Sequence, residues 1–267
     1  MKSRLDVLLV SKGYYQSREK AKAAIMAGLV FVDGKLFDKA GMPVDEDAEI
    51  SIKNQTCPYV GRGGLKLEKA LKTFDINLEN LVAMDIGAST GGFTDCMLQF
   101  GAKKVYAVDV GYGQLDYKLR QDERVVNIEK CNFRYFDKEL LKEYLDFASI
   151  DVSFISLKHI FPVLTELLKE DGKVVALVKP QFEAGRDQVG KHGIVKDKKI
   201  QAEVIEQVID FAVNSNLYPI GLSYSPITGA KGNIEFLLYL NKGDNLGYNI
   251  RVSEIEELVE ISHENLE

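Results

Sequence analysis

Leu5, Leu8 and Leu9 fall on one side of a helix drawn over Arg4–Ser11, and Gly13 breaks the pattern. Ser17 stands in the N-cap position of a second helical stretch, Arg18–Ala27, which Gly28 closes. Leu29–Val32 then reads as a strand, Asp33-Gly34 as a tight hairpin turn, and Lys35 begins the return. Pro43–Glu49 is acidic and reads as irregular, and Glu49–Ile52 as another short strand. Asn54–Gly64 contains Pro58, Gly61, Gly63 and Gly64 and is the joint of the chain. With a boundary near residue 58, the expected division is a small α+β module over 1–57, a linker over 58–64 and a large module over 65–267.

Beyond the joint, strand and helix alternate as in an open parallel sheet. Helices are expected at Leu65–Phe74, Gly91–Phe100, Ile155–Lys169 and Lys198–Asn214. Strands are expected at Leu81–Asp85, Lys104–Asp109, Val125–Glu129, Phe147–Asp151 and Lys173–Val178. Leu217–Tyr224 and Gly232–Leu240 lie close enough in sequence to pair antiparallel. The fold class is therefore α/β. Five parallel strands closed by an antiparallel pair resemble the sheet of the Rossmann-like methyltransferases.

Composition removes several alternatives. In 267 residues, 46% are hydrophobic and 28% charged, which suits a globular protein with a substantial core. No stretch approaches the roughly 18 to 20 apolar residues that span a bilayer, and the first residues lack a signal-peptide core. Cys57, Cys96 and Cys131 are odd in number and far apart, as expected of reduced thiols in a cytoplasm. The net charge of -6 hides an uneven distribution. Six Lys or Arg face two acids between Met1 and Lys22, whereas Arg251–Glu267 holds one Arg and six Glu. Overall acidity therefore does not exclude nucleic acid, because binding follows the local patch.

The turn after the first large-module strand, Asp85-Ile86-Gly87-Ala88-Ser89-Thr90-Gly91-Gly92-Phe93-Thr94, points to a cofactor. Its spacing is G-x-x-x-G-G, which is neither the dinucleotide fingerprint nor a Walker loop. Glycines at 87, 91 and 92 let backbone approach a ligand. A carboxylate at Asp85 would repel a pyrophosphate but suits a cation, which favours S-adenosylmethionine over NAD or ATP. Asp109, 22 residues after Gly87, is placed to accept from both ribose hydroxyls, and Asn132 after the third strand is a candidate for the adenine. The cofactor set is thus Asp85, Gly87, Ala88, Ser89, Gly91, Gly92, Phe93, Asp109 and Asn132.

Four ionisable residues belong together. Lys66 opens the helix before the first strand, Asp151 and Lys179 end neighbouring strands, and Glu235 interrupts an apolar run where burial demands a partner. Such a Lys–Asp–Lys–Glu cluster can activate a sugar hydroxyl, with a desolvated lysine as base.

On these residues the chain resembles TlyA-type proteins, which are ribosomal RNA 2′-O-methyltransferases with an FtsJ-like catalytic domain. The resemblance rests on Leu5-Asp6 with Ser17-Arg18, Tyr59–Leu67, Asp85–Thr94, Ser149–Ser156, Val178–Glu183 and Lys231–Glu235. It implies methylation of cytidine 2′-hydroxyls in ribosomal RNA, with Lys66, Asp151, Lys179 and Glu235 as the catalytic tetrad. The order of elements in the first module resembles the small RNA-binding domain of the fourth ribosomal small-subunit protein. Arg4, Arg18, Lys20 and Lys22 are its candidates for RNA phosphates. The short N-terminus points to the large subunit, and Cys57-Pro58-Tyr59-Val60 lacks the basic-aromatic tetrapeptide of some members.

Members are also called haemolysins, which supplies a pore-forming alternative. The sequence opposes it, since it shows no export signal, no spanning segment and an acidic C-terminal helix. A non-catalytic RNA-binding assembly factor is opposed by the complete tetrad and turn. His159, His192 and His263 are scattered, so no metal site is expected. Pro180–Lys199, with Arg186, Lys191, Lys196, Lys198 and Lys199, reads as a mobile basic loop that helps seat RNA.

Overall fold

A computed structural model describes residues 2–15, 17–26, 28–52, 57–243 and 250–266. The chain divides into two compact units, Met1–Thr56 and Cys57–Glu267.

The first unit packs two helices, α1 (Leu5–Ser11) and α2 (Arg18–Met26), on short strands. Ser17 Oγ accepts the Lys20 N–H at 3.3 Å, as an N-cap does. Ala27, expected to end this helix, and residues 54–56 of the joint lie outside the described residues. Strands β2 (Val30–Val32), β3 (Lys35–Phe37) and β5 (Ile50–Ile52) form an antiparallel sheet in the order β3-β2-β5. Asp33 and Gly34 have φ of 49° and 74°, as a two-residue turn matched to strand twist requires. The supposedly irregular acidic stretch contains β4 (Pro43–Asp45), which pairs with β1 (Lys2–Arg4). Three-residue strands carry too little alternation to be read from sequence. Leu5, Leu8, Leu9, Ile25, Val30 and Val32 make the core.

The second unit is built on a seven-stranded sheet. Its parallel strands are β6 (Val82–Ile86), β7 (Lys104–Val108), β8 (Val125–Ile128), β9 (Leu145–Ile150) and β10 (Leu168–Val178). Strands β11 (Leu217–Tyr224) and β12 (Phe236–Lys242) complete the order β11-β12-β10-β9-β6-β7-β8. Only β12 runs against its neighbours, as both its pairings are antiparallel. Side chains of successive residues face opposite ways, so each strand feeds two cores. Met84, Ile86, Ala148 and Ala176 pack towards α8 (Lys198–Val213) and α9 (Val252–Leu266). Ala83, Phe147, Val175 and Leu177 pack towards α3 (Gly63–Thr73) and α4 (Gly92–Gln99). Helices on both faces explain why the central strands β6 and β9 are buried along almost their whole length.

Two expectations need correction. The long helix over Ile155–Lys169 does not form: a single turn at Leu157–His159 is followed by the short α6 (Phe161–Thr165), and Leu168 already belongs to β10. Pro162 opens α6, since proline cannot continue a helix from upstream. The last strand begins at Phe236 rather than Gly232, because Lys231 and Gly232 adopt φ of 66° and 90°.

The strand order reverses at β6, whose neighbours β7 and β9 lie on opposite sides, and ligands bind beyond the strand ends at such a point. Gly87 leaves β6 there with φ 90°, and a Cβ on it would lie 2.5 Å from the Asp151 carbonyl oxygen. Gly87→Ala is expected to cost roughly 1–3 kcal/mol. A denaturant midpoint equal to that of the parent protein would refute this close approach.

Candidate active site

The site is assembled by strand ends. Asp151 follows β9, Lys179 follows β10, and the register sets Val178 opposite Phe236, so Glu235 arrives beside Lys179 from the start of the antiparallel strand. Lys66 comes from the first turn of α3. The α3 end approaches α4 closely, because a Cβ on Gly92 would stand 2.9 Å from the Gly64 nitrogen.

These four side chains, expected to converge, do so. Lys66 Nζ lies 2.6 Å from Glu235 Oε2 and 3.8 Å from Asp151 Oδ2. Lys179 Nζ lies 2.5 Å from Asp151 Oδ1 and donates to Ser153 Oγ at 3.1 Å. Lys66 and Lys179 are each 8% exposed and Glu235 2%, so water screens the charges little and each must be matched.

A cavity of about 200 Å³ opens beside the cluster. Lys66 and Asp151 line one side, and Gly87, Ala88, Ser89, Thr90, Gly92 and Phe93 of the turn line another. Arg62 also lines it, one helical turn before Lys66. Sequence reasoning missed Arg62, although its place directly before Gly63-Gly64 was the available signal.

The remaining candidates stand around this cavity in different ways. Gly91 (φ 95°) packs against Leu115 and Leu119 and does not line it. Asp109 braces the turn, accepting Ser89 N–H at 2.8 Å and Gly111 N–H at 2.6 Å. Asn132 caps the Phe133–Tyr135 turn through the Arg134 N–H and lines a separate groove with Ile128 and Tyr135. Asp85 is fully buried behind the turn rather than lining the cavity. Its Oδ2 accepts Thr94 N–H at 2.9 Å and Thr94 Oγ1–H at 2.7 Å, while Oδ1 is buried without a hydrogen bond. Burial, only partly offset by Thr94, pushes this carboxyl up to about 7.

In the first unit, Arg4 is bidentate to Asp6 at 3.0 and 3.1 Å, and Arg18 Nη2 reaches the same carboxylate at 3.0 Å. Asp6 is fully buried and its arginines about half exposed. The Arg4 hydrogen bond, with further help from Arg18, holds Asp6 well below the usual carboxylate range. Lys20 is exposed on α2 and Lys22 partly buried. The basic stretch after Pro180 is not free along its length. Asn233 Oδ1 accepts Val195 N–H, Asn233 Nδ2 donates to Gly193 O, and Gln201 Nε2 donates to Val195 O. Among the described residues no three His, Cys, Asp or Glu side chains group to hold a metal, and no helix is long and apolar enough to cross a membrane.

Residues 59–242 match the FtsJ-like methyltransferase family, and residues 3–50 match the S4 domain. The chain belongs to the FtsJ-like methyltransferase family. It is 53% identical over 269 residues to YqxC of Bacillus subtilis, described as a candidate rRNA methyltransferase, covering 99% of this chain and 95% of the relative. It is 39% identical over 240 residues to TlyA of Mycobacterium tuberculosis, a 16S/23S rRNA (cytidine-2′-O)-methyltransferase, covering 90% of each. A solved structure from Streptococcus thermophilus, described as a hemolysin, matches with TM-score 0.80 at 50% identity over 99% of this chain and 96% of that one.

For an FtsJ-like methyltransferase the donor is S-adenosylmethionine. The cavity joins a glycine-lined backbone turn to a polar cluster, and such a pairing fits a ligand held at one end and reacting at the other. Asp85 gives this fold a pH dependence. Its folded value lies above that of an unfolded aspartate, so its stabilising contribution is complete at low pH and is lost as pH rises through about 7. Between pH 6 and pH 8 the larger unit should lose roughly 1 kcal/mol through this group. Asp85→Asn should flatten that loss, which denaturant titrations at the two pH values will measure.

Proposed function

We propose that this protein transfers the methyl group of S-adenosylmethionine to the 2′-hydroxyl of a cytidine in ribosomal RNA, of the large subunit alone or of both subunits. The observation that carries the reading is the Lys66–Glu235 and Lys179–Asp151 pairing at the mouth of the glycine-lined cavity. The specificity named for TlyA, 39% identical, supports the choice of acceptor.

S-adenosylmethionine supplies an electrophilic methyl group, and the residues of the chain do the rest. Gly87, Ala88, Ser89, Thr90, Gly92 and Phe93 would hold the cofactor on a turn braced by Asp109, and Asp85 acts from behind by fixing Thr94 and hence the α4 terminus. Lys66, fixed by Glu235, orients the acceptor oxygen. Lys179 Nζ, oriented by Asp151 and Ser153, enters the step as the neutral amine and takes the hydroxyl proton, becoming the ammonium that Asp151 pairs, as that oxygen gains the methyl. Phe154, directly after Ser153, is 91% exposed and packs against Phe182 with ring centroids 4.8 Å apart and the rings tilted by 52°. An aromatic face beside the reacting atoms holds an unstacked base, which is how single-stranded RNA is read.

The first unit serves as the RNA-binding module and the second as the catalytic module, and the expected linker over 58–64 is part of the second, since Arg62 lines its cavity and Gly63 opens α3. Arg4 and Arg18, ordered by Asp6, meet phosphate together with Lys20 and Lys22 on the same module. Such contacts give affinity and orientation rather than base choice.

Three measurements test the reading. Labelled S-adenosylmethionine with separate ribosomal subunits should leave a 2′-O-methyl cytidine in the large-subunit RNA, and no label in either RNA would defeat it. Lys179→Ala should lower turnover by about 10²- to 10⁴-fold with cofactor affinity retained in calorimetry. Arg18→Glu with Lys22→Glu should weaken RNA binding and flatten its salt dependence by about one to two in slope; an unchanged slope would remove both from the RNA surface.

A further inference from the structure

Phe154 is an expensive residue. Its ring is 91% exposed and its backbone adopts φ 63°, the left-handed region that bulky side chains avoid. Such a conformation persists only where its surroundings impose it. Three residues that follow β10 do so. Lys179 Nζ donates to Ser153 Oγ at 3.1 Å, the Phe182 ring packs at a tilt against Phe154, and Glu183 Oε1 accepts the Leu157 N–H at 2.8 Å.

The third contact is of a different kind from the other two. Lys179 belongs to the reacting cluster and Phe182 shares the platform, whereas Glu183 touches neither cavity nor cluster. It sits at the end of α7 (Pro180–Glu183) and reaches across 26 residues to one backbone amide. Burial raises this carboxyl above the usual range, with the Ser156 hydroxyl and the Leu157 N–H opposing the shift. A carboxyl is costly to bury, so its bond to the loop is the compensation at hand.

We infer that Glu183 is a positioning residue: by accepting the Leu157 N–H it locks the Ser153–Leu157 loop and so fixes Phe154 for the target base. This rests on the methyltransferase reading above. With Glu183 in place, Phe154 is ready before RNA arrives, and binding need not order the loop.

The test compares Glu183→Ala, Glu183→Gln, Phe154→Ala and the double variant Glu183→Ala/Phe154→Ala in the full chain. Glu183→Ala should lower kcat/KM for large-subunit RNA by about ten- to a hundredfold, with calorimetric affinity for S-adenosylmethionine changed by less than about twofold. Glu183→Gln, whose amide oxygen accepts the same N–H, should restore most of the loss. The double variant should be no worse than Phe154→Ala alone, because both remove one function. Wild-type kcat/KM in Glu183→Ala, losses that add, or a parallel loss of cofactor affinity would each overturn the inference. Amide exchange provides a readout independent of catalysis: amides 153–157 should exchange faster in Glu183→Ala while those of α4 do not change. If the parent protein methylates no RNA, the enzymatic reading fails, and the exchange comparison still decides whether Glu183 locks the loop.

Discussion

Two ammonium groups and two carboxylates share one nearly dry end of the sheet, and none can be withdrawn without stranding a partner. That balance constrains the topology. Lys66, Asp151 and Lys179 can all be delivered by a parallel sheet and its flanking helix, but Glu235 cannot. It stands at the start of β12, which meets the ends of the other strands only because β12 runs antiparallel to β10. Were β12 parallel, its start would lie at the far end of the six paired positions, on the order of 20 Å away. The reversed strand is therefore a requirement of the cluster.

The second constraint is room for backbone. The turn after β6 passes close to the Asp151 carbonyl at Gly87 and presses α4 against the loop before α3 at Gly92. At either point a side chain would separate the glycine turn from the charged cluster and open the cavity that both line. Asp85 contributes to the same closeness from beneath. Its place on the α4 side of β6 lets it hold both polar groups of Thr94, which anchors the first turn of α4. A buried acid with one oxygen unmatched is a poor stabiliser, which accounts for its raised protonation range.

Much of this was legible in the sequence because strand ends leave a mark. Apolar runs that stop at Asp151 and Lys179, a glycine turn after Asp85, and a glutamate inside an apolar strand each break a pattern. The tetrad needed no long-range information beyond the expected sheet order. What failed had no local mark. The β1–β4 ladder is three residues long, and the helix expected over Ile155–Lys169 is interrupted at Pro162, which sits in the first turn of α6. Depth leaves no mark either, since sequence shows that Asp85 adjoins the turn but not that it lies fully buried beneath it. Phe154 and Glu183 were invisible as a pair, since a positive φ and a contact across 26 residues arise only in the folded chain.

The two units solve a related problem by the same physical means. Exposed ion pairs are worth little because both partners are solvated and mobile. In the first unit the acid is buried instead, so Arg4 and Arg18 are held by a carboxylate that cannot move, while their outer faces stay in water. Two cations on one anion leave a net positive charge on two half-exposed guanidinium groups that are already ordered. Asp85 and Glu183 act alike in the larger unit, one fixing a helix terminus through Thr94 and the other a loop through Leu157. In each case a largely buried acid accepts hydrogen bonds from a neighbouring element. Rigidity at these surfaces thus comes from acceptors packed beneath them, which hold a guanidinium pair, a helix terminus and a loop in place without occupying the surface themselves.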